Sequence, residues 1–176
     1  MPNYRRNRIP GGTYFFTVNA FDRQSRLLVE HVDQLREAVR VARNRRPFHI
    51  DAWVVLPEHM HAVWTLPLGD DDYSGRWKAI KTEFSKSLAQ TPFRSRAGLR
   101  PGERGIWQRR FWEHTIRDDS DYAAHVDYVH VNPLKHGLVE RVRDWPHSSF
   151  HQFVAKGVYP DSWAGDAVPN LAAGER

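Results

Sequence analysis

Residues 48–66 read FHIDAWVVLPEHMHAVWTL, and this stretch decides the fold. Phe48 to Leu56 alternates, then turns continuously apolar through Ala52, Trp53, Val54, Val55 and Leu56, as a buried strand does. Pro57-Glu58 makes a tight connection and His59 to Leu66 forms the next strand, so the two read as a hairpin. Upstream, Thr13 to Phe21 follows Gly11-Gly12 and carries Tyr14, Phe15, Phe16 and Val18, which predicts another strand. Between them, His31 to Arg45 sets Val32, Leu35, Val39 and Ala42 at helical spacing until Pro47 stops it. Downstream, Tyr73 to Gln90 repeats that spacing with Trp77, Ile80, Phe84 and Leu88. Thr91 to Gly105 is rich in Pro, Gly and Arg and reads as a loop. Ile106 to Ile116 has β character around Trp107, Phe111 and Trp112. Asp118 or Asp119 caps a third helix expected to end near Asn132, because Pro133 disfavours helical geometry in the residue before it. The order β-α-β-β-α-β-α fits an α+β fold, a ferredoxin-like antiparallel sheet with helices packed on one face. One domain is expected over residues 1–155, followed by an irregular tail over 156–176.

Composition narrows the chemistry. The chain has 176 residues, 40% of them hydrophobic, enough for a real core. It has no cysteine, which excludes disulfides, thiolate metal sites and thiol catalysis. Lys and Arg number 26 against 21 Asp and Glu, a net charge of +5, so a polyanion is a reasonable partner. No apolar run reaches the length of a membrane span, and no signal-peptide core follows the basic N-terminus, so a cytoplasmic location is expected.

His59 and His61 are two apart on a strand, so they face one way and Met60 the other. Their Cβ atoms should stand roughly 7 Å apart, close enough for two imidazoles to converge on one ion. Two strand histidines satisfied by ordinary hydrogen bonds are the plainer alternative. Tyr128 and Asn132 are four apart on the third helix and share a face. The Asn132 oxygen could complete a His-His-Asn site and hold the ion beside the Tyr128 hydroxyl. The plainer alternative makes Tyr128 a rim aromatic and Asn132-Pro133 a helix stop. A tyrosine hydroxyl is a poor nucleophile near neutral pH, and a divalent ion at a phosphodiester offsets the charge that develops on attack. On softness alone imidazoles suit zinc better than magnesium, so the donor set leaves Mg, Mn and Zn open.

At these residues the sequence resembles the single-tyrosine HUH transposases, most closely the REP-associated tyrosine transposases. The resemblance is carried by Tyr4-Arg5-Arg6 leading to Gly11-Gly12-Thr13-Tyr14-Phe15-Phe16-Thr17, by Val54 to His61, and by Phe111-Trp112-Glu113-His114 with Ile116-Arg117. It continues through Tyr128 to Pro133, Lys135-His136-Gly137-Leu138-Val139, and Asp144-Trp145-Pro146 with Ser148-Ser149-Phe150. It implies ion ligation by His59 and His61, a polar third ligand at Asn132, attack by Tyr128, a Mg or Mn cofactor, and single-stranded REP-type DNA hairpins as substrate. One nucleophilic tyrosine per chain permits a monomer or a homodimer.

Candidate DNA contacts are Arg5, Arg6 and Arg8, the Arg94 to Arg104 stretch, and Arg109-Arg110 beside the last expected strand. Two other readings compete. One is a non-catalytic basic nucleic-acid-binding domain. The other is a metal hydrolase that activates water, with His147 and His151, four apart, supplying another site.

Overall fold

The computed structural model describes residues 6–88 and 99–164. Arg5, Arg94, Arg96 and residues 165–176 of the tail lie outside them. Ten elements follow in order. They are β1 (Thr13–Asn19), α1 (Leu27–Glu30), α2 (Val32–Arg45), β2 (His49–Val55), β3 (His59–Thr65), α3 (Tyr73–Ser87), β4 (Trp112–Thr115), α4 (Asp119–Lys135), a short 3₁₀ turn (Val142–Asp144) and α5 (Phe150–Ala155).

The four strands form one antiparallel sheet in the order β2-β3-β1-β4. This is the ferredoxin-like arrangement expected for the α+β fold. The hairpin between β2 and β3 closes through Leu56 N–H donating to the His59 carbonyl at 2.8 Å. The last strand is shorter than expected. Only Trp112–Thr115 pair along β1, while Trp107 makes a single bridge to Ala20.

The helices cover both faces, not one. Tyr14, Phe16, Met60, Ala62 and Trp64 pack against Leu35 of α2 and Trp77, Ile80 and Phe84 of α3. Phe15, Ala52, Val54 and Val63 face the other way and pack against Val126, Tyr128 and Val129 of α4. Strand alternation forces this split, since both faces of β1 and β3 are apolar and each needs a cover. Trp64 and Trp77 stack with ring centres 4.1 Å apart, so these two indoles are core rather than DNA platforms.

Asp118 caps α4 by accepting the Asp121 N–H at 2.8 Å. Pro133 does not end α4, which runs on to Lys135 and closes with His136 N–H donating to the Asn132 carbonyl at 3.0 Å. A proline this close to a helix end forfeits only one intrahelical donor, and Pro133 is buried with Val129 and Val131.

The chain after α5 folds back on α4. The Tyr159 hydroxyl donates to Asp127, and the His130 ring lies between the Tyr159 oxygen (3.3 Å) and the Ser149 hydroxyl (2.8 Å). Burial, reinforced by the His151 charge, pushes the His130 imidazole down to about 3. Below its ordinary value near 6.5 the unfolded chain takes up a proton that the folded chain refuses, so stability falls with pH from about 6.5 toward 3. Between pH 7 and pH 5 this one group should cost about 2 kcal/mol. Urea unfolding at the two pH values should show that loss in the native chain, and in His130→Gln it should be smaller by the same amount.

Candidate active site

The site is built where β3 passes beneath α4. His59, His61 and Tyr128 are all essentially buried, at 2%, 0% and 1% exposure. The His59 and His61 ring centres are 4.9 Å apart, and the Tyr128 ring meets His61 edge-on at 5.3 Å. Phe15 backs both, with its ring 5.5 Å from His61 and 5.8 Å from Tyr128. Asn132 is fully buried one turn beyond Tyr128 on the same helix.

Each histidine is anchored through Nδ1. His59 Nδ1 donates to Glu58 Oε1 at 2.8 Å, and His61 Nδ1 lies 2.9 Å from Thr17 Oγ1, its neighbour across the sheet. Burial alone would raise the Glu58 carboxyl, but the hydrogen bond and charge of His59, with Arg23 nearby, more than offset this and hold it low. An ionised Glu58 fixes the His59 proton on Nδ1 and directs the Nε2 lone pair away from it, as carboxylates do behind metal-binding imidazoles. His59 Nε2 is buried and has no hydrogen-bond partner. A buried, unpartnered imidazole nitrogen of fixed tautomer fits a divalent ion well and a plain structural role poorly.

Two further residues border the site. His136 sets its ring 5.1 Å from His59. Lys135 Nζ donates to the Tyr128 hydroxyl at 3.3 Å and sits 4.8 Å from the ring centre. Glu58 and Thr17 complete the support. The helix spacing from Tyr128 to Lys135, seven residues, was the available signal for the lysine.

A second group, His114, Asp121 and His125, could hold a metal ion, since its ligand atoms lie within 4.8 Å of one another. The same atoms are engaged internally. His114 Nε2 donates to Asp121 Oδ2 at 2.9 Å, where Arg117 Nε also donates at 3.1 Å, and His125 Nδ1 donates to the Asp121 carbonyl at 2.8 Å. The two imidazoles stack nearly parallel, with ring centres 4.5 Å apart. His147 and His151 do not enter either group, and His151 Nε2 donates to the Trp145 carbonyl at 2.7 Å.

The arginines lie elsewhere. Arg6, Arg8 and Arg109 line a cleft of about 650 Å³ along α3, with Lys78, Lys81, Trp107 and Phe111. This is the α2/α3 side of the sheet, not the α4 side. Arg6 rests 4.1 Å over the Phe111 ring and donates to Ser74, while Arg8 pairs with Asp71 at 3.7 Å. Arg109 is held by Glu103 through bonds of 2.7 and 2.8 Å, and Arg110 is exposed. Burial, with the charge of Arg6, pushes the Lys81 ammonium down to about 8.

No protein-family model matches the chain. A REP-associated tyrosine transposase of Escherichia coli K12 is 52% identical over 176 residues, spanning all of this chain and 98% of the relative. The chain belongs to the REP-associated tyrosine transposases. A Haemophilus influenzae protein assigned provisionally to the same group is 44% identical over 167 residues, 94% of this chain and 95% of its own length. A solved REP-associated tyrosine transposase bound to a REP hairpin superposes with a TM-score of 0.87 at 53% identity, covering 100% of this chain and 98% of that one. Among the described residues no helix of this chain is long and apolar enough to cross a membrane.

Proposed function

We propose that this chain cuts one DNA strand beside a REP-type hairpin and rejoins it through a covalent 5′-phosphotyrosine at Tyr128, with a divalent ion held by His59, His61 and Asn132. The observation that carries the reading is Tyr128 packed edge-on to His61, 5.3 Å away, in one buried cluster with His59.

In the cutting step the Tyr128 oxygen bonds to phosphorus as the P–O3′ bond breaks. The tyrosine proton is released to solvent, and the departing 3′ oxygen takes up a proton to become a hydroxyl. The ester retains the bond energy, so attack by a 3′ hydroxyl reverses the step without ATP. A bound Mg or Mn ion would supply Lewis-acid stabilisation of the phosphoryl oxygens, and the imidazole donors also accommodate Zn. Glu58 and Thr17 keep the two imidazoles oriented. Phe15 and the α4 core keep water from the inner side of Tyr128, so the phosphate must enter at the exposed rim of Lys135 and His136. The relative bound to a REP hairpin supports hairpin DNA as substrate. The cleft of Arg6, Arg8, Lys78 and Lys81 is suited to its phosphates, with Trp107 and Phe111 available to unstacked bases.

The test uses labelled single-stranded DNA carrying a REP-like hairpin, with Mg or Mn, resolved on a denaturing gel. The expected product is a metal-dependent band at the mass of protein plus DNA. Binding without cutting across several hairpins would make the chain a binding domain. Cutting without an adduct, retained in Tyr128→Phe, would make it a hydrolase that activates water.

A further inference from the structure

We infer that Lys135 is a further catalytic group, whose ammonium stabilises the charge on the Tyr128 oxygen both when it attacks phosphorus and when it leaves. The inference rests on Tyr128 as nucleophile.

Lys135 Nζ donates to the Tyr128 hydroxyl at 3.3 Å and lies 4.8 Å from the ring centre, so it touches the atom that would react. The contact exists because α4 continues past Pro133. Seven residues is close to two full turns, which returns Lys135 to the face of Tyr128. The backbone of Tyr128 is held by core packing with Val126 and Val129, whereas Lys135 is exposed. One end of the contact is therefore rigid and the other is at the rim, where a phosphate enters.

His61 meets Tyr128 edge-on at the ring, and its Nδ1 is engaged with Thr17. Lys135 is thus placed to do what an ion at His59 and His61 does on the phosphoryl side, but on the tyrosine side. In cutting, the Tyr128 O–H bond breaks, its proton goes to solvent, the O–P bond forms, and the P–O3′ electrons leave with the 3′ oxygen, which is protonated. In rejoining, the 3′ hydroxyl loses a proton to solvent, bonds phosphorus, and the O–P electrons return to Tyr128. Lys135 keeps its three protons throughout and donates one hydrogen bond to the charged oxygen. Both directions share one transition state, so both should depend on it equally.

The chain contains no cysteine, which permits a clean chemical test. Lys135→Cys should slow adduct formation at saturating hairpin by about 10- to 100-fold, the lower range for removing a donor at a charged oxygen, given how exposed the lysine is. Hairpin affinity and melting temperature should stay as in the native chain. Alkylation of that cysteine with bromoethylamine restores an ammonium at nearly the same reach and should restore the rate. Alkylation with iodoacetamide adds a neutral amide of similar bulk and should not. Rejoining from isolated adduct should lose and regain the same factor. Equal rescue by both reagents, or a full rate in Lys135→Cys itself, would overturn the role of Lys135. A native chain that forms no adduct, or an adduct that persists in Tyr128→Phe, would overturn the underlying reading of Tyr128 instead.

Discussion

Replacing His59 and His61 together with alanine should lower metal-dependent cutting by about a thousandfold while hairpin binding persists. The size follows from the chemistry lost. A Lewis-acid ion contributes several kcal/mol to stabilising a phosphoryl transition state, and each 1.4 kcal/mol or so is tenfold in rate. Removing two of three proposed ligands leaves Asn132 alone, a neutral oxygen donor. Binding should survive because the candidate phosphate contacts line the cleft along α3, on the other face of the sheet. Both rings are buried, so part of any loss could come from a weakened fold. Two further measurements separate the causes. A chelator should impose the same defect on the native chain, and Mn should reverse it. His61→Ala alone also removes the Thr17 contact and should lower the melting temperature, whereas chelation of the native chain should not remove that contact. Full cutting in the double variant would dismiss the histidines as ligands and leave His114, Asp121 and His125 as the group to test next.

Arg76→Met should be the most destabilising single change on the other side of the sheet, by about 3 to 5 kcal/mol. Arg76 is 2% exposed. Its guanidinium donates to both Asp70 carboxylate oxygens at 3.0 and 2.7 Å, and to the carbonyls of Arg46, Pro47 and Asp72 at 3.3, 2.8 and 3.0 Å. It therefore ties the end of α2 to the start of α3. Methionine keeps much of the apolar stem and loses every donor. The Asp70 carboxyl is held down to about 2 chiefly by the Arg76 hydrogen bond. That shift alone corresponds to about 2 kcal/mol, present above the ordinary carboxylate value near 3.9 and lost as pH falls toward 2. The orphaned carbonyls add the rest. Urea unfolding at neutral pH measures the total. Arg76→Lys should recover only part of it, because one ammonium cannot reach five acceptors arranged around a planar fork. A loss under 1 kcal/mol in Arg76→Met would show that the two loops are held by other contacts.

Much of the fold and half of the site are legible in the sequence, for identifiable reasons. The period of two in β3 sends His59 and His61 to one face and Met60 to the other, which the core clusters bear out. The hairpin and strand order follow from apolar runs and the Pro57-Glu58 turn. Which face α4 covers does not follow, because an amphipathic helix shows that it has an apolar side and not which sheet face meets it. Lys135 is hidden by Pro133, which reads as a stop although a proline near a helix end costs little. The group of His114, Asp121 and His125 is only half visible, since Asp121 and His125 stand four apart on α4 but His114 joins them only because β4 lies beside that helix. The arginines are hidden by pairing. Charge counts do not reveal that Arg109 is bound to Glu103, or that Arg104 donates to carbonyls at the end of α3. At the cleft, Arg6 and Arg8 are likewise engaged, with Ser74 and Asp71, so the DNA contacts proposed there rest on the position and charge of the cleft.

The most direct test of the central claim is the mass of the tyrosine-bearing peptide after reaction with hairpin DNA and Mn. Nuclease and protease digestion of the product should leave a nucleotide phosphate on the peptide containing Tyr128, and none on that peptide from Tyr128→Phe treated alike. An unmodified Tyr128 peptide from a preparation that cuts the same DNA, or a nucleotide found on another residue, would contradict the account.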